Sequence, residues 1–144
     1  MRVVKWGVLA LVGLFAVIQL LPYGRDHTNP PVTQEASWPT PQARRLAVDA
    51  CYDCDSNQTN WRWYSFVAPA SWYVANHVRD GRARLNFSEW DRPQRAGQLT
   101  ETVLDGSMPP RYYTLLHPAA RLSRAKKQAL ADALGGLTPA GGQP

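Results

Sequence analysis

From Trp6 to Leu21 the chain carries a single strongly polar side chain, Gln19, and this apolar run constrains everything that follows it. A stretch of that kind must be covered by lipid or by a large core, and a chain of 144 residues builds only a modest core. Arg2 and Lys5 precede the run. A helix rising about 1.5 Å per residue from Val3 to Tyr23 just crosses a hydrocarbon layer of about 30 Å if Lys5 snorkels. Trp6 and Tyr23 then fall at the two interfaces, where aromatic rings are favoured. The run ends in Leu-Leu-Pro-Tyr-Gly-Arg-Asp, a poor match to the small residues of a cleavage site. Residues 1–24 are therefore expected to form an uncleaved, single-pass signal-anchor in the inner membrane. The positive-inside rule then places the rest of the chain in the periplasm.

Residues 25–39, with Pro30, Pro31 and Pro39, read as an extended linker, residues 40–135 as the folded domain, and residues 136–144 as a disordered Gly/Pro-rich tail. Thr40 followed by Pro41 is a helix start. Ala43, Leu46, Ala47, Ala50, Cys51 and Cys54 follow at i, i+3, i+4, i+7, i+8 and i+11, one helical face that includes both cysteines if the helix persists that far. A second helix is expected from Pro69 to Asp80 with Gly81 as its stop. Leu85–Asp91 reads as a turn into a third helix, with Ser88/Asp91 or Asn86/Glu89 as a capping box; that helix carries Leu99, Val103 and Leu104 and ends near Asp105-Gly106. A fourth starts at Ser123, presents Ala129, Leu130, Ala133 and Leu134, and stops at Gly135-Gly136. Ser107–Pro118 reads as a loop. No segment alternates as a strand does, so the fold class is all-α, a small bundle of about four helices. The net charge of +5 is scattered, and an exported domain has no nucleic acid to meet.

The chain has two cysteines, Cys51 and Cys54, forming one C-x-x-C. Four chemistries use that spacing: haem attachment, thiol–disulfide exchange, half of a zinc site, and a structural disulfide. Exchange needs a lowered thiol pKa, yet Asp49, Asp53 and Asp55 flank the pair and no βαβ pattern surrounds it. Zinc needs four ligands, and the spacing of His77 and His117 singles out neither. Haem attachment needs two thiols for the two vinyl groups and usually a histidine directly after, as C-x-x-C-H. Here that position is Asp55.

An ordered set of further residues narrows the choice. It runs Asn29-Pro30-Pro31-Val32, Cys51-Tyr52-Asp53-Cys54, Ser56-Asn57, Trp61, Trp63-Tyr64, Ala68-Pro69 and Ser71-Trp72. It continues with Leu85-Asn86-Phe87-Ser88, Trp90, Met108-Pro109, Tyr113, Leu116-His117-Pro118 and Leu122-Ser123. In these the chain resembles the bacterial haem-binding domain family, small exported proteins with a C-x-x-C-H motif. The resemblance implies a cytochrome c-like bundle, one haem c held by thioethers at Cys51 and Cys54, and Met108 as an axial iron ligand. Pro109-Pro110 after Met108 would pin the loop that presents this soft thioether; the alternative is that Met108 fills a core gap. The departure is Asp55, which stands where the family has its proximal histidine. Three explanations are open. Haem still attaches and Asp55, water or another histidine takes the site. Or haem is lost and Cys51 and Cys54 pair in a disulfide. Or the residue is a recent change or sequence error in an otherwise haem-binding chain. A carboxylate, being hard, should favour ferric iron.

His77 reads as a partly exposed helix residue, His27 as a linker residue without function, and His117 as a backbone-bonded or helix-capping residue that is also a possible replacement ligand. Trp61, Trp63, Tyr64, Phe66, Trp72 and Trp90 suit a core or a haem wall equally. Arg121, Arg124, Lys126 and Lys127 form a basic face that could steer an acidic redox partner. The expected function is a membrane-anchored periplasmic haem protein in electron transfer or redox sensing, without an evident catalytic acid–base pair. The rival is a haem-free interaction module with a Cys51–Cys54 disulfide.

Overall fold

A computed structural model describes residues 1–94 and 97–137. Residues 138–144 of the expected tail lie outside the described residues. Among the described residues the secondary structure is entirely helical apart from one isolated bridge, Gln34 to Glu89. The helices are α1 (Arg2–Ile18), α2 (Pro41–Ala50), α3 (Tyr52–Asp55), α4 (Ala70–Arg84), α5 (Gly97–Asp105), α6 (Arg111–Leu116) and α7 (Arg124–Gly135), with short 3₁₀ turns at Trp63–Phe66 and Pro118–Ala120. This is compatible with the helical bundle expected.

The chain divides into two compact units, Met1–Thr28 with Trp61–His77, and Asn29–Asn60 with the chain from Val78 onward. In the first unit, α1 has no buried residue. Its 17 residues span about 25 Å, short of the expected 1–24 crossing. No described helix is long and apolar enough to cross a membrane. Gln19 caps the helix end, its amide nitrogen donating back to the Phe15 carbonyl (3.0 Å) and also reaching Ala68. Its amide donates to the Ala68 carbonyl (3.0 Å) and accepts from the Ala68 N–H (2.9 Å), and Pro22 bars further helix. In the same unit His27 lies between Trp61 and Phe66 (centroids 4.5 and 4.3 Å), a packed position rather than an idle linker residue. His77 packs at a tilt against Tyr73 (centroids 4.0 Å) and hydrogen-bonds the Tyr73 carbonyl at 2.9 Å.

The second unit holds the main core. Ala47, Phe87, Trp90, Val103, Leu130 and Leu134 form its centre, drawn from α2, α5, α7 and the segment after α4. The N-caps match expectation: the Thr40 hydroxyl accepts from Ala43 N (3.1 Å), and Ser123 accepts from Lys126 N (3.3 Å). On α7 the buried set is Leu130, Ala131, Ala133 and Leu134, with Ala131 taking the place expected for Ala129. Leu137, assigned above to the tail, is buried in this core. Part of the stretch expected as linker is packed here too. Thr33 and Gln34 donate to the Ser88 carbonyl, Ala36 donates to that of Phe87, and Ala36 is buried.

Three elements depart from the expectation. The first helix does not continue to Cys54; it ends at Ala50, breaks at Cys51 (φ −127°, ψ −38°) and resumes as the single turn α3. The helix expected to stop at Gly81 runs on to Arg84. The third helix is described over Gly97–Asp105, and Asn86 and Ser88 make a local turn, Ser88 N–H to Asn86 Oδ1 at 3.0 Å, rather than a helix cap. The Ser107–Pro118 loop contains α6, one short helix whose six residues are too few to show a period.

Candidate haem-attachment site

The cysteine turn is built by the break at Cys51. The Cys51 carbonyl accepts from both Cys54 N (3.0 Å) and Asp55 N (2.9 Å), closing α3 on itself. Cys51 is 6% exposed and belongs to the core cluster, whereas Cys54 is partly exposed. Both thiols are free. Burial pushes the Cys51 thiol well above its ordinary pKa, and the Asp55 carboxylate and Cys54 add to the effect. Burial, then Asp55 and Asp53, push Cys54 up to about 12 against the opposing pull of Arg82. Both sulfurs are therefore neutral thiols near neutral pH, the reverse of what an exchanging C-x-x-C requires.

Asp55 follows directly. Burial raises its carboxyl to about 7, and Arg84 partly offsets this. Its main-chain carbonyl accepts from Phe87 N at 2.8 Å. Gly81 explains how α4 comes so near. A Cβ there would stand 2.5 Å from the Cys54 carbonyl oxygen and 2.9 Å from Asp55 Oδ1. Gly81 is thus a close-approach residue inside the helix, not a helix stop.

Behind the turn lies a buried polar frame. Asn57 N donates to Ser88 Oγ (3.0 Å), and Asn86 Nδ2 donates to Asn57 Oδ1 (2.8 Å). Asn57 Nδ2 reaches Glu89 Oε1 and the Pro31 carbonyl, both at 2.9 Å. Arg82 donates to the Ser56 carbonyl, to Thr59 Oγ1 and to Asn29 Oδ1. Asn29, Pro31, Ser56, Asn57, Asn86 and Ser88 are among the residues quoted above for the resemblance, whereas Thr59, Arg82 and Glu89 are not, and no spacing in the sequence announces that they bond one another. Their roles are filled by main-chain groups and amides that patterns of hydrophobicity do not register.

Asp53, between the cysteines, is a junction. Its Oδ1 accepts from Asn60 N (2.9 Å), its carbonyl from Thr59 Oγ1 (2.9 Å), and its Oδ2 from the Tyr113 hydroxyl (2.8 Å). His117 Nε2 lies 3.8 Å from the same Oδ2. The His117 ring stacks on Tyr113 (centroids 3.8 Å), with Nδ1 3.0 Å from the Tyr113 carbonyl. A carbonyl only accepts, so Nδ1 carries the proton. His117 thus bonds a backbone carbonyl, one of the three roles weighed for it.

Met108 stands apart from the core cluster and is 38% exposed, so it fills no core gap. Its N–H donates to the Thr102 carbonyl (2.9 Å), and the turn before it uses Gly106 at φ +83°, with Asp105 Oδ1 accepting from Ser107 N (2.7 Å). The structure therefore gathers Cys51, Cys54 and Asp55 into one turn and carries Met108 on a separate loop. That loop leads into α6, which is tied to the cysteine turn through Tyr113 and Asp53.

The donor set can be tested against each chemistry. Among the described residues no group of three or more His, Cys, Asp and Glu side chains converges as a metal-ion site would require. Two reduced, neutral thiols one turn apart suit thioether attachment of haem. Asp55 is a poor fit to the place of the usual histidine: burial raises its carboxyl to about 7, and a protonated carboxyl is a poor iron donor. A small all-helical module with one reduced C-x-x-C and a loop-borne methionine belongs to the class of haem-binding domains. The haem-binding domain family model matches residues 13–135, and the chain belongs to that family. Neither a curated protein nor a solved structure matches it.

Proposed function

We propose that this chain is a c-type haem protein attached to the inner membrane and facing the periplasm, and that it serves electron transfer or redox sensing. The observation that carries the reading is the turn Cys51–Cys54, which presents two neutral thiols within a family whose defining ligand is haem. Each thiol would add across one vinyl group. The sulfur bonds one vinyl carbon, the thiol hydrogen goes to the other, and nothing is oxidised or expelled. Because Cys51 is buried in the core, that addition has to precede final packing. Bound haem would supply a one-electron couple. Met108 would offer a thioether donor to the iron, and Asp55, its carboxyl raised by burial, would be a weak donor. Export is supported by the basic start and the apolar helix α1, none of whose residues is buried. The basic residues of α7 suit an acidic redox partner.

The test is the absorption spectrum of full-length protein made alongside a c-type maturation system. A haem band that survives acid–acetone extraction supports the reading. Colourless protein, with Asp55→His also colourless, refutes it. Colourless protein rescued by Asp55→His would instead favour a site disabled by one residue.

A further inference from the structure

We propose that Asp53 is a positioning residue for Met108: through Tyr113 it fixes α6, and so sets where the methionine loop stands relative to the cysteine turn. This rests on the haem reading above and adds a control within the same site. Asp53 itself faces away from any donor role, because its two oxygens are committed to Asn60 N and to the Tyr113 hydroxyl, with His117 Nε2 at 3.8 Å. The link is short in sequence. Met108 is followed by Pro109 and Pro110, and Pro110 is the N-cap of α6. Two proline rings leave little freedom between the thioether and the helix, so a helix held in place holds the loop. The helix has no buried residue of its own to hold it. What anchors it is the Tyr113 hydroxyl on a carboxylate, the stacked, 8%-exposed His117 beyond it, and the Arg121 guanidinium on the Thr114 carbonyl (2.8 Å). The loop has a second tether to α5, Met108 N on the Thr102 carbonyl and Ser107 N on Asp105 Oδ1, so the placement of the methionine depends on both ends being held. A hydrogen bond to a charged acceptor is among the stronger ones a side chain makes, and this one ties α6 directly to the cysteine turn.

The test uses full-length protein loaded with haem in a maturation strain, as wild type, Tyr113→Phe and Asp53→Asn. Tyr113→Phe removes one oxygen and keeps the ring on His117, so folding is not at stake. The expected result is equal covalent haem in all three, with the charge-transfer band of methionine-ligated ferric haem weakened or lost in both variants. Amide exchange at Thr114 and His117 is expected to quicken about tenfold in each. Wild-type haem with that band, unchanged in both variants and with unchanged exchange, overturns the inference alone. Covalent haem without the band in wild type removes Met108 as ligand and overturns it too. A wild type that takes no haem overturns the haem reading and this inference with it.

Discussion

Replacing Asp55 by Asn tests the electrostatics of the cysteine turn without altering its shape. The carboxyl is raised from 3.8 to about 7 by burial. In the unfolded chain it ionises at the lower value, so between roughly pH 4 and pH 7 the native state holds a proton that the unfolded state has released. Stability must therefore fall as pH rises through that window, with the full cost present above it. About three units at ~1.36 kcal/mol each gives an upper limit near 4 kcal/mol, and partial access of water trims it to about 2 kcal/mol. Asn carries no charge at any pH. Wild type and Asp55→Asn should be equally stable at pH 4, and the variant should lead by about 2 kcal/mol at pH 8. Urea unfolding of the haem-free full-length protein in mild detergent measures this, as a midpoint difference of about 1 M at an unchanged slope. Parallel stability profiles, or a wild type that gains on the variant with rising pH, would refute the reasoning.

Other outcomes follow from the same contacts. Gly81→Ala drives a methyl into the Cys54 carbonyl, so the usual helix gain is reversed and urea unfolding should show a loss of about 1–3 kcal/mol. Gly135→Ala meets nothing within 4 Å and serves as the control, neutral to slightly stabilising. Asn86→Ala removes the partners of Asn57 Oδ1 and Ser88 N inside a buried frame and should cost about 1–3 kcal/mol by the same assay. Alkylation of the haem-free protein at pH 8 should be slow at both cysteines and rapid once urea is added, because burial keeps the thiols neutral; fast labelling of the folded protein would contradict that.

The parts of this chain that could be read from its sequence are those governed by local rules. Thr40-Pro41 and Ser123 start helices because a hydroxyl cap and a proline at the first turn act on their own neighbours. The apolar spacing of Ala43, Ala47 and Ala50 likewise marked the face that is buried. What could not be read depends on partners distant in the chain. Gly81 looks like a helix stop until the Cys54 carbonyl, from another element, is seen to occupy the space of its missing Cβ. The apolar N-terminal run suggested a longer span than the helix α1 achieves, since nothing local reveals that Gln19 bonds Ala68. Asp53 drew notice only as a flanking charge. Its contact with Tyr113, sixty positions on, leaves no mark in composition or spacing.

The most direct test of the central claim is the intact mass of the full-length protein purified from cells that carry a c-type maturation system, measured under denaturing conditions. The account predicts the chain plus one haem, with the added mass absent in a Cys51→Ala/Cys54→Ala double variant. An unmodified chain mass in both wild type and Asp55→His, or one lower by two hydrogens through a Cys51–Cys54 disulfide, would contradict it.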